Sequence, residues 1–127
     1  MRIARGGALE YVDLPGRRSA DPFRDDGADV SVRVVAIAPD VRRSPHRHPL
    51  SSEVVYVIGG HGRMWQDGDV ADVEVGDVAH IPAGTPHATL AVGGTLLLVC
   101  FFPHPRLGDN IEELTDIVLP HADELGA

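Results

Sequence analysis

Two stretches decide how this chain folds: His46-Arg47-His48-Pro49-Leu50-Ser51-Ser52-Glu53-Val54-Val55-Tyr56-Val57-Ile58-Gly59-Gly60 and, further on, Gly76-Asp77-Val78-Ala79-His80-Ile81-Pro82-Ala83-Gly84-Thr85-Pro86-His87-Ala88-Thr89-Leu90-Ala91. From Ser52 to Ile58 the first is β-branched and aromatic, the composition of a strand, and Gly59-Gly60 stops it. The second holds a short run, Val78 to Ile81, stopped by Pro82-Ala83-Gly84, and another from Thr85 to Ala91 before Gly93-Gly94. Working outward, Gly62 to Gln66 and Val70 to Val75 flank Asp67-Gly68-Asp69, a hairpin signal. Thr95 to Phe102 is almost wholly apolar, as a strand buried on both faces should be. Val30 to Ala38 alternates, with Val30, Val32, Val34, Ala36 and Ala38 on one face and Ser31 and Arg33 on the other. Seven short strands with almost no helix predict an all-β sandwich or barrel, which hides sheet edges.

The ends read differently. Residues 1–29 form an N-terminal arm and loop, in which Leu9 to Leu14 can add an edge strand and residues 15–29 look like an exposed loop. Residues 30–102 carry the barrel. Residues 103–127 form a C-terminal arm, where Ile111, Leu114, Ile117 and Val118 fit either a short helix or an extended segment.

Composition narrows the function. Nineteen acidic against eleven basic residues leave a net charge of −8, which disfavours nucleic acid and anionic membrane surfaces as partners. All the basic residues are arginine, so Schiff-base lysine chemistry is excluded; the bias suggests a GC-rich, bacterial coding sequence. A single cysteine and an N-terminus without a signal-peptide apolar run point to a cytoplasmic protein.

The chemistry sits in the histidines. His46 and His48 are two apart in an extended segment, so both rings share a face. Glu53 opens the next strand, and His87 lies on a later one. Three imidazoles and a carboxylate suit one divalent transition metal and leave positions open for water or substrate. An isolated His-x-His fits solvated surface histidines equally well; the surrounding spacing argues otherwise. His46-x-His48-x4-Glu53-x6-Gly60 and Gly76-x5-Pro82-x-Gly84-x2-His87 together resemble the two motifs of the cupin superfamily. The resemblance implies a double-stranded β-helix, or jelly-roll barrel, with His46, His48, Glu53 and His87 holding a metal (Fe, Zn, Mn, Ni or Co) in its mouth. One departure is Ala91, where the second motif usually ends in Asn.

Other residues have two readings each. Arg63 and Trp65 share a strand face; facing inward they would bind an anionic or aromatic substrate, and facing outward they are solvated or packed between sheets. Val55 and Val57 share Glu53's parity and should line the cavity. His80 is either a proton-transfer group near the metal or a half-buried barrel histidine. Cys100 is a buried structural thiol or a cavity-facing one.

The resemblance implies a metal-dependent enzyme acting on a small-molecule substrate, either a dioxygenase or a cyclase or isomerase. Phe101-Phe102-Pro103-His104-Pro105 and the residues after it are similar to the tails of small cupins of bacterial natural-product pathways, including polyketide cyclases. The competing reading is a non-catalytic ligand-binding or sensor cupin. A homodimer, paired through its terminal arms, is the expected assembly.

Overall fold

A computed structural model describes residues 1–126. Eleven strands follow one another: β1 (Tyr11–Leu14), β2 (Arg17–Ala20), β3 (Ser31–Ile37), β4 (His46–Arg47), β5 (Glu53–Gly59), β6 (His61–Gln66), β7 (Asp69–Glu74), β8 (Val78–Ile81), β9 (His87–Ala91), β10 (Leu96–Phe102) and β11 (Glu112–Glu113). They form two antiparallel sheets. One runs β1-β2-β3-β10-β5-β8, the other β11-β4-β9-β6-β7. From β3 to β10 the chain passes repeatedly between the sheets, which makes the jelly-roll barrel. The only helical elements among the described residues are three short 3-10 turns, and no helix is long and apolar enough to cross a membrane.

The turns follow their residues. Asp67 and Gly68 both take positive φ, 46° and 96°, as a tight two-residue hairpin between β6 and β7 requires. Gly60 carries the chain from β5 into β6 at φ 82°.

The main core lies between the sheets and contains Ile37, Val55, Val57, Met64, Leu96 and Leu98. Parity places Arg33, Val35 and Ile37 of β3 on the inner side. Val32 and Val34 then face outward, so Val34 belongs to the outer face and not to the core. The more apolar face of β3 is thus its outer one, because the inner face lines a polar cavity.

One segment departs from the sequence reading, and a second takes one of its two readings. Residues 17–20 are a strand of the large sheet, paired from Arg17↔Ile37 to Ala20↔Val34, rather than loop. The expected edge strand before it forms as β1. Of the two forms open to residues 111–119, the extended one is found, interrupted by a turn at 115–116. Glu112 and Glu113 pair with Arg47 and His46, Leu114 N–H donates to the Pro45 carbonyl, and Leu119 N–H donates to that of Arg43. Backbone pairing to residues 43–47 outweighs the apolar spacing that suited a helix. Beyond it, Leu119, Ala122 and Leu125 pack on Ala88 and Leu90, with Trp65 against them.

Candidate metal centre

Three strand starts bring the four motif residues together. His46 opens β4 and lies opposite His87, which opens β9; Glu53 opens β5, and His48 sits just beyond β4. Each contributes a donor atom, and all four atoms lie within 4.8 Å of one another. Glu53 Oε1 is 2.9 Å from His87 Nε2 and 3.4 Å from His48 Nε2. Ligand atoms at right angles on a metal with ~2.1 Å bonds stand ~3.0 Å apart, so the cluster is already near coordination spacing.

Outer hydrogen bonds set which ring nitrogen faces inward. His48 Nδ1 donates to the Asn110 carbonyl at 2.7 Å, and His87 Nδ1 donates to the Thr85 carbonyl at 2.8 Å. A carbonyl only accepts, so both Nδ1 atoms carry the proton. In a neutral ring, Nε2 then offers a lone pair toward the Glu53 carboxylate. Two lone pairs facing at such distances need a proton or a cation between them. His48 Nε2 and His46 Nδ1 are moreover buried without hydrogen-bond partners. The donor set fits a divalent transition metal, and the carbonyl-bonded Nδ1 atoms are the usual support of metal-binding imidazoles.

The charges agree. Glu53 is only 5% exposed. Burial opposes its ionisation, yet the adjoining His48 and His87, wherever a proton or cation lies between them and the carboxylate, prevail and hold it well below the usual carboxylate range. Burial, then the neighbouring His87 and His48, push His46 well below the ordinary imidazole range. The site therefore presents an anionic carboxylate beside a neutral His46.

Asn110 supports this arrangement and escaped the sequence reading. It is 0% exposed. Its carbonyl holds His48, its Oδ1 accepts the Leu50 N–H at 2.7 Å, and its Nδ2 donates to Ser51 Oγ at 2.7 Å. One asparagine thus ties the C-terminal segment to the turn between the first two histidines and Glu53.

A profile of the cupin domain matches residues 33–102. The chain belongs to the cupin family. A 60-residue stretch of this cupin is 37% identical to an uncharacterized protein of Methanocaldococcus jannaschii; it covers 46% of this chain and 48% of that protein, about half the relative's length. Among solved structures, the cupin resembles the polyketide cyclase RemF from Streptomyces resistomycificus (TM-score 0.73, 22% identity, 90% of this chain and 85% of that one). It also resembles the oxalate decarboxylase of Lactobacillus farciminis (TM-score 0.72, 22% identity, 87% of this chain and 35% of that one). A third is the oxalate decarboxylase of Bacillus subtilis, a protein with Mn(II) centres (TM-score 0.68, 23% identity, 83% of this chain and 30% of that one). At these identities the likeness is one of fold.

The remaining candidates separate cleanly. Val55 and Cys100 line the cavity at the cluster, with Cys100 opposite Val55 in the sheet. Burial, then the Glu53 carboxylate, raise the Cys100 thiol well above its ordinary range, so it stays protonated. Val57 is a core residue one step deeper. Arg63, Trp65 and His80 do not line the cavity at the cluster, so the substrate and proton-transfer readings of these three residues give way to the others. Met64 takes the inner face of β6, so Arg63 and Trp65 point outward under the C-terminal segment. There Arg63 donates to the Ala122 and Leu125 carbonyls, 2.7 Å each, and pairs with Asp72 at 2.6 Å. His80 stands opposite Val54 on the outer, exposed side of β8. In their place the cavity wall of this cupin holds Arg17, Arg33 and Arg43.

Proposed function

We propose that this cupin is a metal-dependent enzyme whose small organic substrate binds beside the His46, His48, Glu53 and His87 cluster. The observation that carries the reading is the position of that cluster: it lines a cavity of about 70 Å³ whose other walls include the apolar Val55, Leu98 and Phe102. A metal held only for stability would be enclosed by its ligands rather than face such a space. When bound, a divalent metal supplies Lewis acidity toward a substrate oxygen. The chain's own residues do the rest. Glu53 lends the centre its negative charge, the two carbonyl-anchored imidazoles hold their lone pairs inward, and Val55, Leu98 and Phe102 give the cavity an apolar side. Outside the four ligands, the described wall carries no carboxylate or imidazole. Side-chain general acid–base work is therefore a minor part of the chemistry.

Within this reading an oxygenase and a polyketide-type cyclase or isomerase are the two candidate activities. Elemental analysis of protein purified without added metal tests the centre. Oxygen consumption and product analysis with small metabolites separate the two activities. A metal-loaded protein that holds such a metabolite unchanged would support a ligand-binding cupin instead.

Asn110→Ala tests the support of the centre. The variant keeps the carbonyl but loses the anchors to Leu50 and Ser51, so His48 loses its fixed orientation. Metal affinity is expected to fall roughly 10- to 100-fold, the usual cost of losing an outer partner. Competition with a chelator measures it; an unchanged affinity would show that Asn110 only packs.

For assembly we propose a homodimer paired through the outer face of the large sheet rather than through the arms. Leu119 and Leu125 are folded onto their own chain. The outer face, by contrast, presents Tyr56 (42% exposed), Ile58, Leu97 and Phe101 (43% exposed) beside Val34 and Val99. Monomers rarely leave so continuous an apolar face open. In a chain of charge −8, an uncharged face is where a second copy approaches without repulsion. Sedimentation should give twice 13.6 kDa, and Tyr56→Glu with Phe101→Glu should return the monomer. A wild-type monomer at tens of micromolar would overturn the proposal.

A further inference from the structure

Three arginines from separate parts of the chain line one cavity: Arg17 from β2, Arg33 from β3, and Arg43 from the segment before β4. The only carboxylate in that wall is Glu53, which is committed to the histidine cluster. A chain that is acidic overall thus concentrates positive charge at one interior place.

These arginines are poorly compensated where they stand. Arg43 is 8% exposed, and its side-chain bond is from Nη1 to the Thr89 carbonyl at 2.7 Å; among the described residues no carboxylate pairs with it. Arg33 donates from Nη1 to Ser19 Oγ at 2.6 Å, but its Nε is buried without a hydrogen-bond partner, and the nearest carboxylate oxygen, on Asp21, is 3.8 Å away. Arg17 reaches Glu113 at 3.6 Å. Burial, then the charge of Arg17, bring Arg43 down to about 10; burial also lowers Arg33, with Arg17 again opposing its charge. Burying like charges together is costly, and an anion between them recovers the cost through paired, charge-assisted hydrogen bonds.

We propose that the cavity is an anion site, and that the ligand is a small organic carboxylate whose carboxylate group is received by Arg33 and Arg43, with Arg17 at its more exposed side. The size agrees, since about 70 Å³ admits only a few heavy atoms beyond the cluster. Calling that carboxylate the substrate rests on the enzyme reading above; the arginine site itself does not.

The test is calorimetric titration with malonate, with its neutral diamide malonamide, and with inorganic phosphate, on metal-loaded and on chelator-treated protein. Malonate is expected to bind at least ~10-fold more tightly than malonamide in both forms. Arg33→Gln and Arg43→Gln should each weaken malonate by ~10-fold or more while metal content stays as in the wild type. Arg43 is buried, so Arg43→Lys, which keeps the charge but loses the fork, serves if the glutamine variant fails to fold. Equal binding of malonate and malonamide, or malonate binding indifferent to Arg33→Gln and Arg43→Lys, would overturn the site. Phosphate binding as tight as malonate and dependent on the same arginines would overturn the assignment to carboxylates. If the wild type retains no metal but malonate binding still depends on the arginines, the metal reading fails and the anion site stands. If metal is retained and the arginines do not matter, the reverse holds.

Discussion

His87→Ala is expected to lose its metal and its activity while keeping a wild-type circular dichroism spectrum. His87 is the only one of the four candidate ligands supplied by β9. Its loss should cost metal affinity more than the ~10- to 100-fold typical of an outer partner. The fold should survive because the apolar core between the sheets, from Ile37 through Val55 to Leu98, does not include the cluster. In this respect the protein differs from small zinc modules that fold only around their metal. Glu53→Gln makes the complementary change. It keeps the side chain's volume and removes its charge, and it should release metal comparably. Activity and metal content measured side by side decide the matter. A folded, metal-free His87→Ala that turns over substrate at the wild-type rate would place the chemistry outside the cluster and bring forward the ligand-binding reading.

Gly60→Ala is expected to be the most damaging single substitution for stability. At φ 82° any side chain is strained, by ~1–2 kcal/mol. A Cβ at this position would also overlap the carbonyl oxygen of Thr95 and press on the Leu96 backbone. That oxygen is backbone at the start of β10 and cannot swing away. The combined cost should exceed ~3 kcal/mol, a large share of the ~5–15 kcal/mol that stabilises a domain. Gly93→Ala is the control. It has a similar φ of 73° but open space around its Cβ, so it should cost only the ~1–2 kcal/mol of backbone strain. Denaturant titration of both variants measures the difference. If the two midpoints coincide, the close approach of Gly60 to β10 contributes nothing.

The strands and the metal cluster were legible in the sequence for different reasons. Val78 to Ile81 is bracketed by Gly76-Asp77 and Pro82-Ala83-Gly84, so local turn chemistry alone marked its limits, and β8 occupies those residues. The four ligands were legible because His46 and His48 share a face two residues apart, and because the spacing to Glu53 and His87 resembles the two cupin motifs. What stayed hidden depended on partners distant in the chain. Arg17-Arg18-Ser19-Ala20 has little strand character of its own and becomes β2 by pairing with β3. The orientation of β3 was not legible, because alternation tells which residues share a face but not which face is inside. A core rule puts the valines in; the cavity reverses it, and Arg33 goes in. Arg63 and Trp65 carried the same ambiguity, and Met64 taking the core side selects the outward of their two readings. Asn110 gave no signal, since its three partners lie about sixty residues earlier.

That last distance bears on when the centre can exist during synthesis. All four candidate ligands have been translated by residue 87, and every strand of the two sheets except β11 by Phe102. Yet His48 is oriented by a carbonyl 62 residues downstream, and His46 is flanked by β11. A nascent chain ending before Asn110 has the strands from β1 to β10 and the four side chains, but it lacks the carbonyl that orients His48. The C-terminal segment is thus the last part of the centre to be made, and full metal affinity is expected only once it has left the ribosome and docked.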